Sequence, residues 1–568
     1  MRAAQTSAPV VALAAAMAIA FASTSGVRSA TSRVPQNHDR QGMVAAPAVH
    51  AAPPLVRFHA PPYGSFWGYR WGERRMPVPV VSADADYRAS VFHVVDAPAE
   101  SDGDRFPGLD TLIALMGHQG VPFYRSDADT PESGPDGIVG ADDVVVVKIN
   151  YQWGERGGTN VDLLRGLVRR IVDHPDGFVG EIVVCENAQF VSINFDRPEN
   201  NAENIGLSPH DVVAAFQDQS IAISHFNWTT MRFTEVAEYA DGDDDDGYVL
   251  LPYDAALNGR VSYPKFTTAY GTRISLRNGV WDPASGSYDR SHLRFVNMPV
   301  LKSHHAVYGI TSVVKNYMGV VTGGLGTNSH NAIANGLLGA AIAEVHPADL
   351  NILDCIWVNA NPNTGPATTY EGATRRDELV ASLDPVAADI WAATNILVPA
   401  FVQNGFPPPW APPNPDPADP TSVYRNYLDH SLARLLAAGW NATNDLAKID
   451  VYTWSAGGDV DQDGVPDTDD NCPYDANPDQ MDCDGDGIGD VCAIAQGLQA
   501  DLNGNGIPDA CECPADLDGN GAVDGADLGV LLGAWGPNPG HAADLDLDCT
   551  VGGADLGALL GAWGSCGG

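Results

Sequence analysis

Basic residues are scarce in this sequence, and they are unevenly spread. The 568 residues include 31 Lys and Arg against 72 Asp and Glu, which gives a formal net charge of −41. No Lys or Arg follows Lys448, whereas 22 Asp and one Glu lie from Gly457 onward. Affinity for nucleic acid depends on basic side chains that neutralise phosphates. We therefore expect no nucleic-acid partner.

Acidic residues are missing from one window, residues 290–343. At the chain's average rate, about seven would be expected there. Arg290, Arg294, Lys302 and Lys315 remain in the window. A local excess of basic charge in a strongly acidic chain indicates a site for an anion. A buried apolar segment would also lack acids, so both interpretations stay open.

We also expect no apolar run of this sequence to cross a membrane. The run at residues 10–22 follows Arg2, is too short to span a bilayer and ends in an Ala-Phe-Ala cleavage pattern. This arrangement is typical of a secretory signal. We predict a signal peptide at residues 1–30, a disordered lead-in at 31–56, an exported protein and no membrane span.

Cysteine is rare in the main body, where only Cys185 and Cys355 occur, each inside an apolar run typical of inert core thiols. Seven others lie in the acidic tail, at positions 472, 483, 492, 511, 513, 549 and 566. Such a concentration predicts disulfides in an exported protein, and the odd number leaves at least one cysteine unpaired or intermolecular. No C-x₂-C-x₂-C-x₃-C run is present, so we expect no iron–sulfur cluster.

The main body has the pattern of an α/β domain with a mixed or mostly parallel sheet and flanking helices. DVVVVKIN at 143–150 predicts a strand buried on both faces, residues 161–172 predict a helix, and EIVVCEN at 181–187 predicts a second strand. Together they form a βαβ unit. We place this domain at residues 57–455, with a core at about 105–400 and an insertion at 195–290.

Polar residues follow several predicted strands. Lys148 and Asn150 follow the first strand, and Glu186 and Asn187 end the second. Lys302 and His304 follow the apolar run at 295–301, and Asp354 ends LNILD. Ligands of open α/β sheets bind beyond the carboxyl ends of the strands. This convergence predicts a binding crevice, although each residue alone is more typical of a solvated rim.

A helical stretch follows at 313–318, with Lys315 and Asn316 on it. Asp384 precedes Pro385, as an N-cap does at the start of a helix. The adjacent His304 and His305 offer a metal site as an alternative, but neighbouring strand residues rarely face one ion. Familiar nucleophile motifs, including G-x-S-x-G and H-E-x-x-H, are absent.

These segments resemble, in order, the bacterial family named domain of unknown function 362. The resemblance rests on VVVVKIN (144–150), NMPVLKSHHAVYGITSVVKNYMGVV (297–321), LNILD (350–354), Gly365-Pro366 and SLDPVAADIWAA (382–393). It implies catalytic candidates Lys302, His304 and Lys315, and ligand-binding candidates Lys148, Asn150, Asn316, Asp354 and Asp384. Many relatives carry an iron–sulfur module that this sequence lacks. We hypothesise that the three lysines hold an anion and that His304 acts in acid–base chemistry.

The tail from 457 to 511 resembles thrombospondin type 3 calcium repeats. Alternating carboxylates with glycine between them can converge on one calcium ion. The resemblance implies the ligands Asp459, Asp461, Asp463, Asp467, Asp470, Asp482, Asp484, Asp486, Asp490, Asp501, Asn503, Asn505 and Asp509. A solvated, disordered acidic tail is the alternative.

Residues 514–566 contain two related units, 516–536 and 544–564, each an acidic loop followed by a short helix with Leu and Trp. This duplication resembles a type I dockerin. Loop positions of the EF-hand type fall on Asp516, Asp518, Asn520, Asp524 and Asp527, and on Asp544, Asp546, Asp548 and Asp555. The resemblance implies calcium-dependent folding and a cohesin-like or cell-surface protein partner.

Three functional hypotheses follow from these observations. The first is an exported bacterial enzyme or binding protein that holds an anionic small molecule in the α/β domain, with a calcium-binding tail for anchoring or docking. The second is a non-catalytic cell-surface, adhesion or scaffold protein, which predicts a filled crevice without convergent side chains. The third is a dockerin-borne component of a polysaccharide-degrading assembly.

Overall fold

The computed structural model describes residues 86–568 except for 98–100, 190–191, 204–205, 305–307, 412–413, 456, 462, 468, 484, 486, 502–505, 509–512, 519, 521, 539–540, 547 and 566–568. The predicted signal peptide and lead-in lie outside the described residues. So do five predicted calcium ligands, namely Asp484, Asp486, Asn503, Asn505 and Asp509. All described residues belong to one compact unit, Tyr69–Gly568.

The first half of the main body builds one side of a parallel sheet. In chain order its elements are β1 (Ala89–Val95), α1 (Pro107–His118), the short strands β2 (Tyr124–Arg125), β3 (Ser133–Gly134) and β4 (Val139–Gly140), β5 (Val144–Lys148), α2 (Val161–Val172), β6 (Glu181–Glu186), α3 (Pro209–Gln217) and β7 (Ile223–Asn227). The side chain of Asn160 caps α2 by accepting a hydrogen bond from Leu163 N at 3.1 Å. The predicted βαβ unit is therefore present.

The predicted insertion at 195–290 divides into two parts. Its first part contributes α3 and β7, and β7 pairs in parallel with β6, so it continues the α/β pattern. Its second part forms a separate antiparallel sheet of β8 (Gly247–Leu250), β9 (Ser262–Thr267), β10 (Arg273–Ser275), β11 (Gly279–Asp282) and β12 (Ser287–Asp289). The polar outer residues of β7, such as His225 and Asn227, explain why its apolar pattern is weak.

The second half returns to the main sheet. It contains β13 (Leu293–Asn297), β14 (Val300–His304), β15 (Gly309–Thr311), α4 (Val313–Asn316), α5 (Ser329–Ala332), α6 (Leu337–Glu344), β16 (Leu350–Asn359), β17 (Thr374–Ser382), α7 (Pro385–Ala392), α8 (Val398–Gln403), α9 (Val423–Ala437) and β18 (Ile449–Ser455). The strand order is β18-β1-β17-β16-β13-β5-β6-β7, with β14 beside β16 and β15 beside β14. Antiparallel pairs at β17 make the sheet mixed, while its centre is parallel, as predicted.

The core lies on both faces of this sheet. Val144 and Val146 of β5 pack on the face that also carries α4, α6, α7 and α9, whereas Val145 and Val147 pack towards α1 and α2. The four consecutive valines are buried because each face of the strand is covered. This layering directs the carboxyl ends of β5, β6 and β13 towards a common edge.

One helical stretch among the described residues, Pro385–Gln403, is long and apolar enough to cross a membrane by length and composition alone. Within its most apolar window, 67% is buried inside the protein. Core helices of soluble proteins pass the same test, so the stretch is weak evidence for a span. The stretch consists of α7, a π-helical segment at Ala393–Leu397, and α8.

The tail consists of loops with short helices and strands. These are α10 (Asp490–Ala495), β19 (Ala522–Val523), α11 (Gly525–Gly533), β20 (Gly536–Pro537), β21 (Thr550–Val551), α12 (Gly553–Gly561) and β22 (Gly564–Ser565). A disulfide joins Cys472 to Cys492, and Cys549 is an exposed free thiol. Tyr474 stacks on His118 of α1, with ring centroids 4.6 Å apart. The first part of the tail thus packs against the main domain.

Candidate functional site

Three lysines from separate segments converge at the carboxyl edge of the sheet. Lys148 ends β5, Lys302 lies in β14, and Lys315 lies in α4. Their exposed fractions are 0%, 0% and 6%, so all three amines are withdrawn from bulk water. Lys302 and Lys315 line a pocket, and Lys148 lies behind its wall. The predicted convergence of strand ends therefore exists as a cluster of buried cations.

Lys148 has no hydrogen-bonding capacity left for a ligand. Its Nζ donates to Ile149 O at 2.6 Å and to Asn316 Oδ1 at 3.1 Å, and it pairs with Glu186 Oε1 at 3.1 Å. A lysine ammonium has three N–H donors, so these acceptors use all of them. Burial lowers the pKa of Lys148, and the Glu186 carboxylate opposes that shift. Lys148 therefore holds the wall of the pocket together.

Lys302 retains one donor. Its Nζ donates to Asn150 Oδ1 and to the carbonyl oxygen of Gly157. Two of three N–H groups are thereby used, and the third is available towards the pocket. Burial lowers the pKa of Lys302 to about 7; the Lys148 and Lys315 charges add to this shift, while Glu186 opposes it.

Lys315 differs from both, because no acceptor among the described residues lies within hydrogen-bonding distance of its Nζ. The nitrogen lies 4.9 Å from the centre of the Tyr308 ring, and this cation–π contact is its only direct stabilisation in the described structure. Burial and the Lys148 charge lower the pKa of Lys315 to about 7. Since Lys315 lines the pocket, its three N–H donors are available to a molecule bound there.

His304 lies beside these lysines at the end of β14. Its Nδ1 is 2.7 Å from Thr311 Oγ1, and its side chain lines the pocket. Burial, together with the charges of Lys315 and Lys302, lowers the pKa of His304 to about 2. The imidazole is therefore neutral near pH 7 and is a weak proton acceptor. The hypothesised acid–base role would depend on a bound anion that raises this pKa again.

A chain of asparagine side chains orders the floor of the site. Asn316 Oδ1 accepts from Asn150 Nδ2 at 3.0 Å, and Asn316 Nδ2 donates to Asn297 Oδ1 at 2.8 Å. Asn297 in turn donates to Asn351 Oδ1 at 2.9 Å. Each amide thus fixes the orientation of the next, and the chain positions α4 and its Lys315 relative to β5 and β13.

Besides Lys148, two predicted site residues do not line this pocket. Asp354 accepts hydrogen bonds from Asn201 Nδ2 at 2.6 Å and from Ile356 N at 3.0 Å. Asp384 caps α7 by accepting from Val386 N at 2.9 Å and Ala387 N at 3.0 Å. Burial raises the pKa of each carboxyl to about 6. Their contacts are those of structural carboxylates.

Two residues outside the predicted set, Gln189 and Asp389, shape the site, together with the predicted strand-end residue Glu186. Glu186 at the end of β6 pairs with Lys148, and Gln189 lines the pocket. Asp389 of α7 accepts hydrogen bonds from Val313 N at 2.6 Å and Val314 N at 3.2 Å, which fixes the start of α4. The place of Glu186 at a strand end predicts it from the sequence, whereas nothing in the local sequence pattern identifies Gln189.

The pocket is small. Its volume is about 40 Å³, which is room for about three waters if each requires about 10–15 Å³. Its lining includes Asn150, Gln189, Lys302, His304, Lys315 and Asn316. A dinucleotide does not fit such a space. A small anion does, as does the acidic end of a larger molecule.

The first predicted calcium repeat brings five carboxylates together. One oxygen from each of Asp459, Asp461 and Asp463 lies within 4.8 Å of the others. Asp467 and Asp470, only 5% and 9% exposed, are close enough to this group to repel it electrostatically. Each has one buried oxygen without a hydrogen-bond donor in the described structure. Burial and the neighbouring carboxylates raise the pKa of Asp461 to about 6.

The other predicted calcium ligands are arranged differently. Close groups form from Asp516, Asp518 and Asp527, and from Asp544, Asp546 and Asp548. Asp527 and Asp555 each accept backbone hydrogen bonds that close their own loops. Asp482 accepts from Gly485 N and Gly487 N, Asp490 from Cys483 N, Asp501 from Gly506 N, Asp524 from Ala526 N, and Asn520 from Ala522 N.

Comparison with known families supports part of the resemblance. The model of the family described as Domain of unknown function (DUF362) matches residues 293–394. This segment runs from β13 through α7, and it therefore includes Lys302, His304 and Lys315. Neither the curated proteins nor the solved structures gave a match.

Proposed function

We propose that the α/β domain binds a small anionic molecule in the pocket formed by β14, α4 and the loop after β5. The observation that carries this proposal is Lys315, a buried amine with three unused donors at the pocket wall. An anion supplies the missing acceptors and the missing countercharge. Lys302 contributes its remaining donor to the same ligand.

The charge balance of the site supports the same conclusion. The three lysine amines have one carboxylate in direct contact, Glu186, and that carboxylate pairs with Lys148. Lys302 and Lys315 therefore face the pocket without a carboxylate partner among the described residues. Buried cations are usually paired, and an exception in a pocket is typical of a binding site.

The scaffold hypothesis makes a different prediction for this crevice. A domain without a ligand is expected to fill it with apolar side chains or to lack convergent polar groups. The open space and the polar lining favour ligand binding over a purely structural main domain.

Titration of the full chain with phosphate, sulfate, acetate and glycolate tests the proposal. Isothermal calorimetry at pH 6 should detect binding of at least one of these anions. Lys315→Met should abolish it, because methionine fills the same space without donors. Lys448→Met, outside the pocket, is the matched control and should bind like the wild type. Unchanged binding in Lys315→Met would show that Lys315 does not contact the anion.

We further propose that the tail binds calcium. The favouring observation is the pair of buried, unpartnered oxygens on Asp467 and Asp470 beside three more carboxylates. No lysine or arginine follows Lys448, so the tail itself supplies no basic side chain to neutralise them. Hard oxygen ligands of this number suit calcium, and extracellular modules bind it at about 10⁻⁴–10⁻³ M.

Docking of a protein partner by residues 514–566 is the corresponding proposal for the duplicated unit. Its support is a repeated exposed pair, Leu532 with Trp535 and Leu560 with Trp563, each about half exposed. A recombinant type I cohesin is the probe, measured by surface plasmon resonance against the full chain in calcium. Binding that the Trp535→Ser, Trp563→Ser double variant loses supports docking, and absence of binding to the wild type argues against it.

A further inference from the structure

Lys315 is the lysine of the cluster that a bound molecule can reach. It is 6% exposed and lines the pocket, whereas Lys148 and Lys302 are each 0% exposed. Its Nζ has no hydrogen-bond acceptor among the described residues, and it is not one of the fully enclosed, unpartnered polar atoms of the described chain. The amine is therefore accessible from the pocket.

The surroundings of this amine favour its neutral form. Burial and the Lys148 charge lower the pKa of Lys315 to about 7. No carboxylate among the described residues pairs with its Nζ, which instead lies 4.9 Å from the centre of the Tyr308 ring. A lysine amine in water has a pKa of about 10.4, so fewer than about one in a thousand is neutral at pH 7, against about half of Lys315. A neutral amine is a nucleophile.

An accessible, neutral amine in a site for small anions defines a chemical class of ligand. We propose that Lys315 forms an imine with a small 2-oxo acid bound in the pocket. This inference rests on the proposed anion-binding function: the carboxylate is the group that the site attracts, and the carbonyl is the group that the amine attacks. Binding of an anion alone does not require the carbonyl.

The step balances without an oxidant or a reductant. The lone pair of Lys315 Nζ forms a bond to the carbonyl carbon, and the π electrons of the C=O bond move to the oxygen, which takes up a proton. The nitrogen loses its two protons, and the oxygen leaves as water after it has taken up a second proton. The products are one imine and one water molecule.

The size of the pocket places the carbonyl next to the carboxylate. About 40 Å³ is available, so both groups must belong to a short molecule. A 2-oxo acid carries them on adjacent carbons. The charge of Lys315 lowers the pKa of Lys302 by repulsion, and a carboxylate near the two lysines relieves that repulsion. A neutral ketone of similar size lacks this attraction and should react less.

Reductive trapping tests the inference, because the whole sequence contains only five lysines, Lys148, Lys265, Lys302, Lys315 and Lys448. The full chain is incubated at pH 7 with pyruvate and cyanoborohydride, and the labelled lysine is located by peptide mass spectrometry. Label on Lys315 should exceed label on Lys448, which lies outside the pocket, by at least about tenfold. Equal labelling of the two, or label on Lys302 in place of Lys315, overturns the inference.

Two further ligands separate the carbonyl from the carboxylate. Acetone has the carbonyl alone and should label Lys315 about tenfold less than pyruvate at equal concentration. Lactate has the carboxylate without the carbonyl, so it should give no label and should reduce labelling by pyruvate. Calorimetric binding of pyruvate and lactate with no label on Lys315 overturns the imine and leaves the proposed anion site intact. If neither acid binds and no label appears, the proposed function fails as well.

Lys315→Arg is the matched variant. Its guanidinium keeps the positive charge but forms no imine under these conditions, so the variant should bind lactate and lose the label. Thermal unfolding checks that it is folded, and the peptide map of the wild type decides the matter if it is not. Undiminished labelling of folded Lys315→Arg by pyruvate would overturn the inference, because it would place the reacting amine elsewhere.

Discussion

At the scale of single residues, the three lysines of the cluster differ in what their amines already contact. Lys148 is saturated, Lys302 is nearly so, and Lys315 is free of acceptors in the described structure. Residue identity alone ranks them equally. The donor balance makes Lys148 a framework residue and leaves Lys315 as the lysine that we propose contacts a ligand.

This difference predicts unequal effects on the free energy of unfolding. Lys148→Met leaves Glu186 buried without its partner and should lower the free energy of unfolding by about 3–5 kcal/mol. Lys315→Met removes a buried amine that lacks acceptors and should change stability by less than about 1 kcal/mol, or increase it. Denaturant unfolding of the two variants measures the contrast. Equal destabilisation by both would show that Lys315 is also a framework residue.

Anion affinity should depend on pH through the same residues. The pKa values of Lys302 and Lys315 lie at about 7, so both amines are mostly charged at pH 6 and mostly neutral at pH 9. The charged form binds an anion, so affinity should fall as pH rises, by up to about tenfold per unit for each lysine above pH 7. Titration with glycolate at pH 6 and pH 9 measures this. An affinity that is constant across this range would exclude the lysines from binding.

At the scale of elements, the strands and helices with regular patterns were predictable from sequence. The four valines of β5, the capped helix α2 and the Asp-Pro start of α7 each carry a local signal that the structure confirms. The separate sheet at 247–289 and the placement of β7 were not predictable, because their strands are short and partly polar.

The site was only partly predictable for a related reason. The ends of the predicted strands identify Lys148 and Lys302, because a polar residue after an apolar run can be seen in the sequence. Whether Asp354 lines the pocket depends on strand offset, and a shift between β14 and β16 decides it. Gln189 reaches the pocket from a left-handed backbone conformation, and two distant carbonyl oxygens hold its side-chain amide. No sequence pattern predicts either feature.

The two aspartates of α7 should act differently, although both are buried. Asp384 caps its own helix, so Asp384→Ala should destabilise the fold by about 1–2 kcal/mol without changing anion affinity. Asp389 fixes the start of α4, so Asp389→Asn should weaken anion binding by displacing Lys315. Unfolding and glycolate titration of each variant separate the effects. If Asp384→Ala lost affinity for glycolate at unchanged stability, Asp384 would be a ligand-binding residue.

The first tail repeat should respond to calcium through its buried carboxylates. Calcium should raise the unfolding temperature of the full chain, and a chelator should lower it. Asp467→Asn should reduce this response, because one of its oxygens is buried and unpartnered. Asp469→Asn is the matched control, since Asp469 is exposed. An unchanged response in Asp467→Asn would place calcium elsewhere in the tail.

At the scale of the whole molecule, charge divides the chain. The tail is acidic without compensation, whereas the main domain concentrates cations at one buried edge of its sheet. Tyr474 packs on α1 at His118 and donates to Thr111 O at 3.3 Å, so the two regions are in contact. The proposed calcium sites and the proposed anion pocket thus lie in one compact unit.

Proton uptake on ligand binding tests the central claim most directly. Calorimetric titration of the full chain with glycolate at pH 8, in two buffers of different ionisation enthalpy, gives the number of protons bound. Because Lys302 and Lys315 have pKa values of about 7, anion binding should take up between one and two protons at pH 8 and fewer at pH 6. Lys315→Met should reduce the uptake. Glycolate that binds at pH 8 with no proton uptake would contradict the account, because it would show that the anion meets no neutral lysine.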